Sequence, residues 1–324
     1  VDGLPLARFE YVLARAGVLV PRQTLARWVI GTAQALQPIA NLMRDVLLGH
    51  DVIHMDETPV QVLKEPARAA SSKSQMWVQR GGPPGKPVIL FEYDPSRAQA
   101  VPLRLLEGWK GHLMADALES YGAISFTEGV TRLGCWVHAR RRFVDAGKVL
   151  PEGKRGRAHE ALALIGKLYA IEKEARELSD AERLARRQSQ SRAVIDELRR
   201  WLDQVLPTVP PTSVLGGALG YLHRQWPRLT RYLARGDLPI DNNPAENAIR
   251  PFVVGRKAWL FSDTQAGARA SALIYSLVET AKANNVEPYL WLRHILRALP
   301  TATTVEHFEA LLPWHLKAEQ LITA

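Results

Sequence analysis

The chain has 324 residues, and 42 Lys and Arg against 33 Asp and Glu give it a formal charge of +9 at pH 7. Its 47% hydrophobic and 23% charged residues are typical of a globular protein of about two domains and argue against wholesale disorder. The single cysteine excludes an intramolecular disulfide framework and a zinc site made of several thiolates, and no apolar run of about 18 residues predicts a membrane span. Because the N-terminus has no charged-then-apolar signal segment, we expect an intracellular protein, and the start at Val1 instead of Met indicates a fragment.

The positive charge is concentrated in the second half of the chain. Residues 1–130 carry 13 basic and 13 acidic side chains, whereas residues 131–200 carry 17 against 10 and residues 247–297 carry 7 against 3. Such an excess favours a polyanionic partner, because neutralised phosphates release counterions. A solvated, Arg-rich helical surface explains the same composition, so charge alone leaves both interpretations open.

Residues 1–50 predict a helical N-terminal segment, with helices over residues 4–16, 21–30 and 34–48. Two short helices around a glycine turn are typical of a helix-turn-helix that reads DNA. The second of these helices carries Arg22, Gln23, Thr24 and Arg27. A helical hairpin that packs on the main domain is the alternative, since the pattern is common.

Residues 51–146 predict an α/β segment with a mixed sheet, because short β-prone runs there alternate with helical ones. The predicted strands are residues 52–62, 75–79, 87–93, 111–116 and 134–137, and the predicted helices are residues 96–106 and 138–146.

The rest of the chain is predicted to be almost entirely helical. Residues 147–240 read as a helical block without strand signals, interrupted by the proline-rich residues 207–211. Residues 241–300 predict a short helical turn followed by two final helices, and residues 301–324 form a tail.

Three acidic residues stand out by their positions. Asp56 and Asp116 lie in or at the end of apolar strand patterns, where a charge is costly unless it is paired or bound to a metal. Glu246 follows Asn243 and Pro244 with the spacing of a helix N-cap, a first helical residue and an N3 acid. Acids on strands of one sheet can bind a hard cation such as Mg²⁺, but strand-end capping, helix capping or pairing with Arg explains each of them as well.

Two other residue pairs have simpler explanations. Cys135 and His138 have a Cys-x-x-His spacing, but zinc needs at least three protein ligands, so we interpret the pair as structural. His54, two residues before Asp56, is expected on the same face of its strand and could assist there, although a lone His is more often a core residue.

Taken together, the longer motifs resemble those of the insertion-sequence transposases of the family numbered sixty-six, over about residues 1–300. The first half of the resemblance rests on His54-Met55-Asp56-Glu57-Thr58-Pro59-Val60, on Asp116 with Ser120-Tyr121-Gly122, and on Cys135-Trp136-Val137-His138-Ala139-Arg140-Arg141-Arg142-Phe143. The second half rests on Asp241-Asn242-Asn243-Pro244-Ala245-Glu246-Asn247-Ala248-Ile249-Arg250-Pro251, Gly255-Arg256-Lys257, Trp259-Leu260-Phe261-Ser262, residues 274–282 and Glu287-Pro288-Tyr289.

The resemblance implies a ribonuclease-H-like catalytic domain with an Asp-Asp-Glu triad, which falls on Asp56, Asp116 and Glu246. Residues 51–146 and 241–300 would then be the two parts of this domain, and residues 147–240 a helical insertion between the second Asp and the Glu. Family members usually carry an upstream Cys-rich zinc module and a coiled coil, which this chain lacks. Asn247 stands where the family commonly has an Arg.

The activity implied is that of a DNA transposase. The triad would hold two Mg²⁺ ions, with Mn²⁺ as a substitute, and would catalyse phosphodiester hydrolysis at element ends followed by strand transfer into target DNA. A non-catalytic DNA-binding remnant and a nuclease of the same fold are the alternatives. The expected phosphate contacts are Arg140, Arg141, Arg142, Arg250, Arg256 and Lys257, each of which could instead be a solvated surface residue.

The resemblance also implies partners and a location. We expect double-stranded DNA of the element ends and of the target, a homo-oligomer on that DNA, and accessory proteins encoded by the element. No membrane association is expected, and the location is predicted to be the cytoplasm of a prokaryote, in association with the nucleoid.

Overall fold

The computed structural model describes residues 3–151 and 153–316, a mixed α/β chain that divides into two compact units. The first unit combines the residues up to Gly111 with those from Pro244 onward, and the second unit comprises His112–Asn243. Within the described residues, no helix is both long and apolar enough to cross a membrane.

The secondary structure elements are as follows. The strands are β1 (Val52–Lys64), β2 (Lys73–Gly81), β3 (Val88–Asp94), β4 (Gly111–Met114), β5 (Val130–Leu133) and β6 (Ser262–Thr264). The helices before residue 150 are α1 (Leu6–Arg15), α2 (Arg22–Ala35), α3 (Gln37–Leu48), α4 (Ala100–Leu105) and α5 (Trp136–Lys148). The later helices are α6 (Arg157–Glu174), α7 (Asp180–Arg186), α8 (Arg192–Val205), α9 (Val214–Leu229), α10 (Asn243–Trp259), α11 (Gln265–Ala283), α12 (Pro288–Ala298) and α13 (Val305–Glu309).

Strands β1, β2 and β3 of the first unit form an antiparallel meander. Asp56 is opposite Val78, and Val78 is opposite Phe91, so these three residues form one row across the strands. The short strand β6 pairs with β1 in parallel, with Val62 opposite Ser262. The sheet is therefore mixed, as predicted from the sequence.

One face of this meander carries an apolar cluster of the first unit. Its side chains come from alternate strand residues, including Val60, Met76, Val78 and Phe91, because successive strand residues point to opposite faces. Helices α10 and α11 cover this face with Ala245, Ala248, Ile249, Phe252, Ala268 and Ala272. Burial of these apolar side chains is the main favourable contribution to the folding of the unit.

Two hydroxyl groups of α11 form hydrogen bonds with the backbone of the edge strand β3. Thr280 Oγ1 accepts a hydrogen bond from Ile89 N (3.0 Å) and donates one to Ile89 O (2.9 Å). Ser276 Oγ accepts from Phe91 N at 2.7 Å in the same way. Both side chains are buried, so they supply partners that the backbone of an edge strand would otherwise lack.

We expect the substitution Thr280→Val to destabilise the protein by about 2 kcal/mol, because it keeps the shape but leaves the buried N–H and C=O of Ile89 without partners. Chemical denaturation measures the change in the free energy of unfolding. The matched control is Thr303→Val at an exposed position, which should change that free energy by less than about 0.5 kcal/mol. Equal stability of the two variants would contradict this role of Thr280.

The second unit combines the neighbouring strands β4 and β5 with the helices α5 to α9. Its centre contains Arg187, a fully buried residue in a π-helical segment between α7 and α8. Arg187 pairs with Glu172 through Nε (2.8 Å) and Nη2 (2.7 Å), and its Nη1 donates to the carbonyl groups of Tyr232 (2.9 Å) and Arg235 (2.5 Å). The buried charge is thus fully paired, as it must be at such a position.

Two predictions of local structure were wrong. The fifth strand was predicted at residues 134–137, but β5 ends at Leu133 and Trp136 begins α5. Trp136 is fully buried and its Nε1 donates to Leu229 O at 2.8 Å, so tertiary packing overrides the β propensity of this segment. Residues after 241 were predicted to form only a short turn, whereas α10 continues through Pro251 to Trp259, and β6 was not predicted.

Candidate active site

Asp56 lies in the middle of β1, a position that is unusual for a carboxylate. It is half-buried, and its Oδ1 accepts a hydrogen bond from Glu57 N at 2.9 Å. Its row partners Val78 and Phe91 both belong to the apolar cluster under α10 and α11. Because opposed residues of antiparallel strands share a face, the Asp56 side chain lies on the face that these helices cover.

Glu246 lies in the first turn of α10, on the helix that packs against the same face. The side chain is half-buried, whereas its neighbours Ala245, Ala248 and Ile249 are buried in the apolar cluster. Glu246 thus lies at the margin of the buried stripe of the helix. The helix N-terminus carries a partial positive charge, which favours a carboxylate at this position.

The start of α10 differs slightly from the prediction. The helix begins at Asn243, so this residue lies within the helix and not at its N-cap. Asp241 instead accepts hydrogen bonds from Asn243 N and Asn243 Nδ2, each at 3.0 Å. The first helical turn that carries Glu246 is therefore preceded by a hydrogen-bonded aspartate turn.

Asp116 belongs to the second unit, two residues after the end of β4. Its Oδ1 accepts a hydrogen bond from Leu118 N at 2.9 Å, and its main-chain carbonyl accepts one from Arg132 Nη2 at 2.5 Å. Arg132 is almost fully buried and also donates to Tyr121 O at 2.9 Å. Burial lowers the pKa of Arg132 to about 10, so the guanidinium remains protonated at neutral pH and holds this turn in place.

The predicted triad is thus distributed over both units. Asp56 and Glu246 belong to the first unit, on one face of β1 and on the helix that packs against that face. Asp116 belongs to the second unit, two residues after the short strand β4. Each of the three carboxylates is half-buried, so none is a purely solvated surface acid.

A cavity of about 300 Å³ in the first unit lies elsewhere. Its lining includes Arg44 on α3, Gln79 on β2 and Arg269 on α11, and neither Asp56 nor Glu246 contributes to it. The candidate active site is therefore defined by its carboxylates and not by this cavity.

Glu57 is a buried acid next to Asp56 that the sequence analysis did not consider separately. Its side chain is only 1% exposed and accepts hydrogen bonds from Arg97 Nε (2.9 Å) and Nη2 (2.7 Å) through Oε1. Adjacent strand residues point to opposite faces, so Glu57 lies on the face away from Asp56. The alternation of strand residues could have assigned the two acids to opposite faces of the sheet. Asp56 lies on the face that the helices cover, and Glu57 lies on the face that contacts Arg97.

Near Cys135, the second unit contains a polar cluster that the sequence analysis also did not predict. Cys135 is buried, and its Sγ accepts a hydrogen bond from Asn242 N at 3.2 Å. Tyr169 on α6 is close to Asp241 and Cys135. Burial, and then the charge of Asp241, raises the pKa of Tyr169 above its ordinary value, so its phenol is neutral at physiological pH.

The predicted phosphate contacts have different environments. Arg140, Arg141 and Arg142 are exposed on α5, and the guanidinium of Arg142 lies 4.3 Å from the ring centroid of Tyr221. Arg250 and Lys257 are exposed on α10, and neither has an ion-pair partner among residues 3–151 and 153–316.

Arg256 differs from these residues because it is bonded to β1. Its Nη1 donates to Thr58 Oγ1 at 2.9 Å and to the carbonyl of Pro59. Burial lowers its pKa below the ordinary value of an arginine. Part of its hydrogen-bonding capacity is therefore used to fix the C-terminal part of α10 on the strand that carries Asp56.

We expect Arg256→Gln to lower the free energy of unfolding by about 1–2 kcal/mol, because Thr58 and Pro59 lose a charged donor. The neighbouring variant Lys257→Gln removes the same charge from an exposed position and should change stability by less than about 0.5 kcal/mol. Urea denaturation of both variants measures the difference. A loss of stability in Lys257→Gln as large as that in Arg256→Gln would contradict the anchoring role.

Comparisons with known proteins relate the chain to a family of transposases. A family model described as "Transposase IS66 family" matches residues 1–270, and one described as "IS66 C-terminal element" matches residues 276–314. Two similar relatives are the uncharacterized proteins y4qI and y4jD of Sinorhizobium fredii (strain NBRC 101917 / NGR234), each 29% identical over 332 residues. The matches cover 99% and 98% of this chain but 61% and 64% of the relatives, so the chain spans about three-fifths of their length. No solved structure matches the chain.

Proposed function

Because the chain belongs to the IS66 family of transposases, we propose that it catalyses metal-dependent hydrolysis of phosphodiester bonds at element ends, followed by strand transfer into target DNA. The observation that carries this proposal is the position of two half-buried carboxylates, Asp56 and Glu246, on β1 and on the helix that packs against its face. Asp116, half-buried two residues after β4, is the proposed third acid.

We also propose that the fold is ribonuclease-H-like. The antiparallel meander β1–β3, followed by a short helix and β4, supports this proposal. In this scheme residues 51–146 and 241–300 form the catalytic domain, and residues 147–240 are a helical insertion between the second Asp and the Glu.

The proposed metal ligands are Asp56, Asp116 and Glu246. Carboxylate oxygens are the ligands that Mg²⁺ prefers, and Mn²⁺ accepts the same donors. When bound, the metal supplies an activated water and charge stabilisation at the leaving oxygen of the phosphodiester.

The chain's own residues have two further tasks in this proposal. Basic side chains on α5 and α10 hold the DNA backbone, which positions the scissile phosphodiester without reading its sequence. The hydrogen bonds of Asp241 to Asn243 and of Arg256 to Thr58 hold the two ends of α10, the helix that carries Glu246. We expect the active assembly to be a homo-oligomer on paired DNA ends.

The test of the chemistry is a cleavage and strand-transfer assay with Mg²⁺ on DNA that contains the element ends. Asp56→Asn, Asp116→Asn and Glu246→Gln should each reduce both reactions to the rate seen without metal, because each removes an anionic oxygen ligand. Duplex binding, measured by fluorescence anisotropy, should persist in all three variants.

The control for this assay is Asp45→Asn, which neutralises an exposed acid on α3. It should cleave at the wild-type rate. Full activity of Asp56→Asn would contradict the assignment of the triad, and DNA binding without cleavage by the wild-type chain would instead support a non-catalytic DNA-binding protein.

The test of the phosphate contacts is the salt dependence of DNA affinity. The slope of log K against log salt is negative, and each lost phosphate contact reduces its magnitude by about 0.9. The variants Arg140→Gln and Arg250→Gln should each reduce the magnitude by about that amount, whereas Lys86→Gln, in the exposed turn before β3, should leave the slope unchanged. An unchanged slope for Arg140→Gln or Arg250→Gln would reject that residue as a phosphate contact.

A further inference from the structure

Two adjacent apolar side chains are exposed directly after α10. Leu260 is 63% and Phe261 44% exposed, although the preceding part of the helix is anchored in the core of the first unit. A single exposed apolar residue needs no explanation, but two neighbours at one tip form a small apolar surface.

The backbone of Leu260 makes this exposure harder to explain as chance. Leu260 has φ +66°, in the left-handed region that favours glycine after the end of a helix. Its N–H still donates to Arg256 O at 2.8 Å, and the N–H of Phe261 donates to Trp259 O at 2.8 Å. The sequence thus keeps a large apolar side chain at a position where glycine would fit more easily and where no burial compensates.

The tip is fixed on both sides. Before it, Trp259 packs edge-on against Phe252 at 5.3 Å between ring centroids, and Phe252 contacts Tyr275 at 5.2 Å. The close approach of Tyr275 depends on Gly255, where an added Cβ would collide with the tyrosine hydroxyl. After the tip, β6 begins at Ser262 and pairs with β1, so the apolar side chains are presented from a rigid base.

The basic residues of α10 before the tip favour an anionic partner. Lys257 lies three residues and Arg250 ten residues before Leu260. Arg250 and Lys257 are exposed and without ion-pair partners in the described parts of the chain, and their spacing of seven residues places them on one side of α10, about 10 Å apart along its axis. The acid closest in sequence, Asp263, is paired with Lys64 at 2.9 Å. Positive charges beside an apolar tip are complementary to phosphates beside stacked bases.

We propose that Leu260 and Phe261 form a wedge that inserts into a base step of the DNA whose backbone is held by Arg250 and Lys257. Apolar side chains that enter a base step unstack it and bend the duplex, and the distorted duplex contacts more protein surface. The wedge rests on the proposed function, because it requires DNA as the bound substrate, and it assigns to this tip a distortion of the bound duplex.

The test uses the full chain and short synthetic duplexes that carry 2-aminopurine at single successive positions. The duplex sequence is taken from the DNA that flanks the coding sequence of the chain. Binding of the wild-type chain should raise the fluorescence of at least one position, because 2-aminopurine is quenched when stacked. Leu260→Asn and Phe261→Ser should lose most of this increase while their affinity changes by less than about tenfold and their salt slope stays the same.

The variants are chosen so that folding does not obscure the result. Asn tolerates the left-handed conformation, so Leu260→Asn should unfold at the wild-type temperature or above it. The matched control is Val305→Asn, a 59% exposed apolar residue on α13, which should keep the full fluorescence increase.

The outcomes separate the wedge from the proposed function. Binding without a fluorescence change in the wild type, or an unchanged increase in Leu260→Asn and Phe261→Ser, would overturn the wedge and leave the transposase proposal intact. Failure of the wild-type chain to bind any of the duplexes would overturn the wedge together with the DNA-binding part of the proposed function.

Discussion

The first unit depends on one constraint, the need to cover the apolar face of the β1–β3 meander that carries Val60, Val78 and Phe91. Helices α10 and α11 meet that need with small side chains such as Ala245, Ala248 and Ala268, which allow helix and sheet to approach closely. A carboxylate is tolerated only at the margin of such a layer, where Asp56 and Glu246 remain half-buried. The packing that stabilises the unit therefore also restricts where acidic side chains can lie.

Polar contacts around this layer have a complementary role. They fix the position of α10 and α11 along the strands, which apolar contacts alone do not specify. Thr280 and Ser276 pair with the backbone of β3, and Arg256 bonds to Thr58 and to the carbonyl of Pro59. Apolar burial is not directional, whereas these hydrogen bonds specify one position of each helix along the sheet. A sheet with a helix fixed at defined positions is a suitable support for residues that must keep a constant geometry.

Much of the fold could be predicted from the sequence, because the period of apolar residues is a local property. The first three strands and the long helices follow directly from it. The local predictions that were wrong concern segments whose structure depends on residues distant in sequence. Trp136 is helical because its indole is buried and donates a hydrogen bond to Leu229. Helix α10 continues through Pro251 because its apolar side packs on the sheet. Of the candidate site, the strand period could place Asp56, but the pairing of Glu57 with Arg97 depends on a loop that no local pattern predicts.

The division of the chain at Gly111 and Pro244 has a consequence for synthesis on the ribosome. Strands β1, β2 and β3 of the first unit are made before residues 112–243, and α10 and α11 after them. At about 5–20 residues per second, the apolar face of β1–β3 waits on the order of ten seconds for its covering helices. The second unit, made in one uninterrupted stretch, can fold during that interval. The nascent chain is therefore most vulnerable to aggregation through the β1–β3 meander, which is made early and is still uncovered on this face.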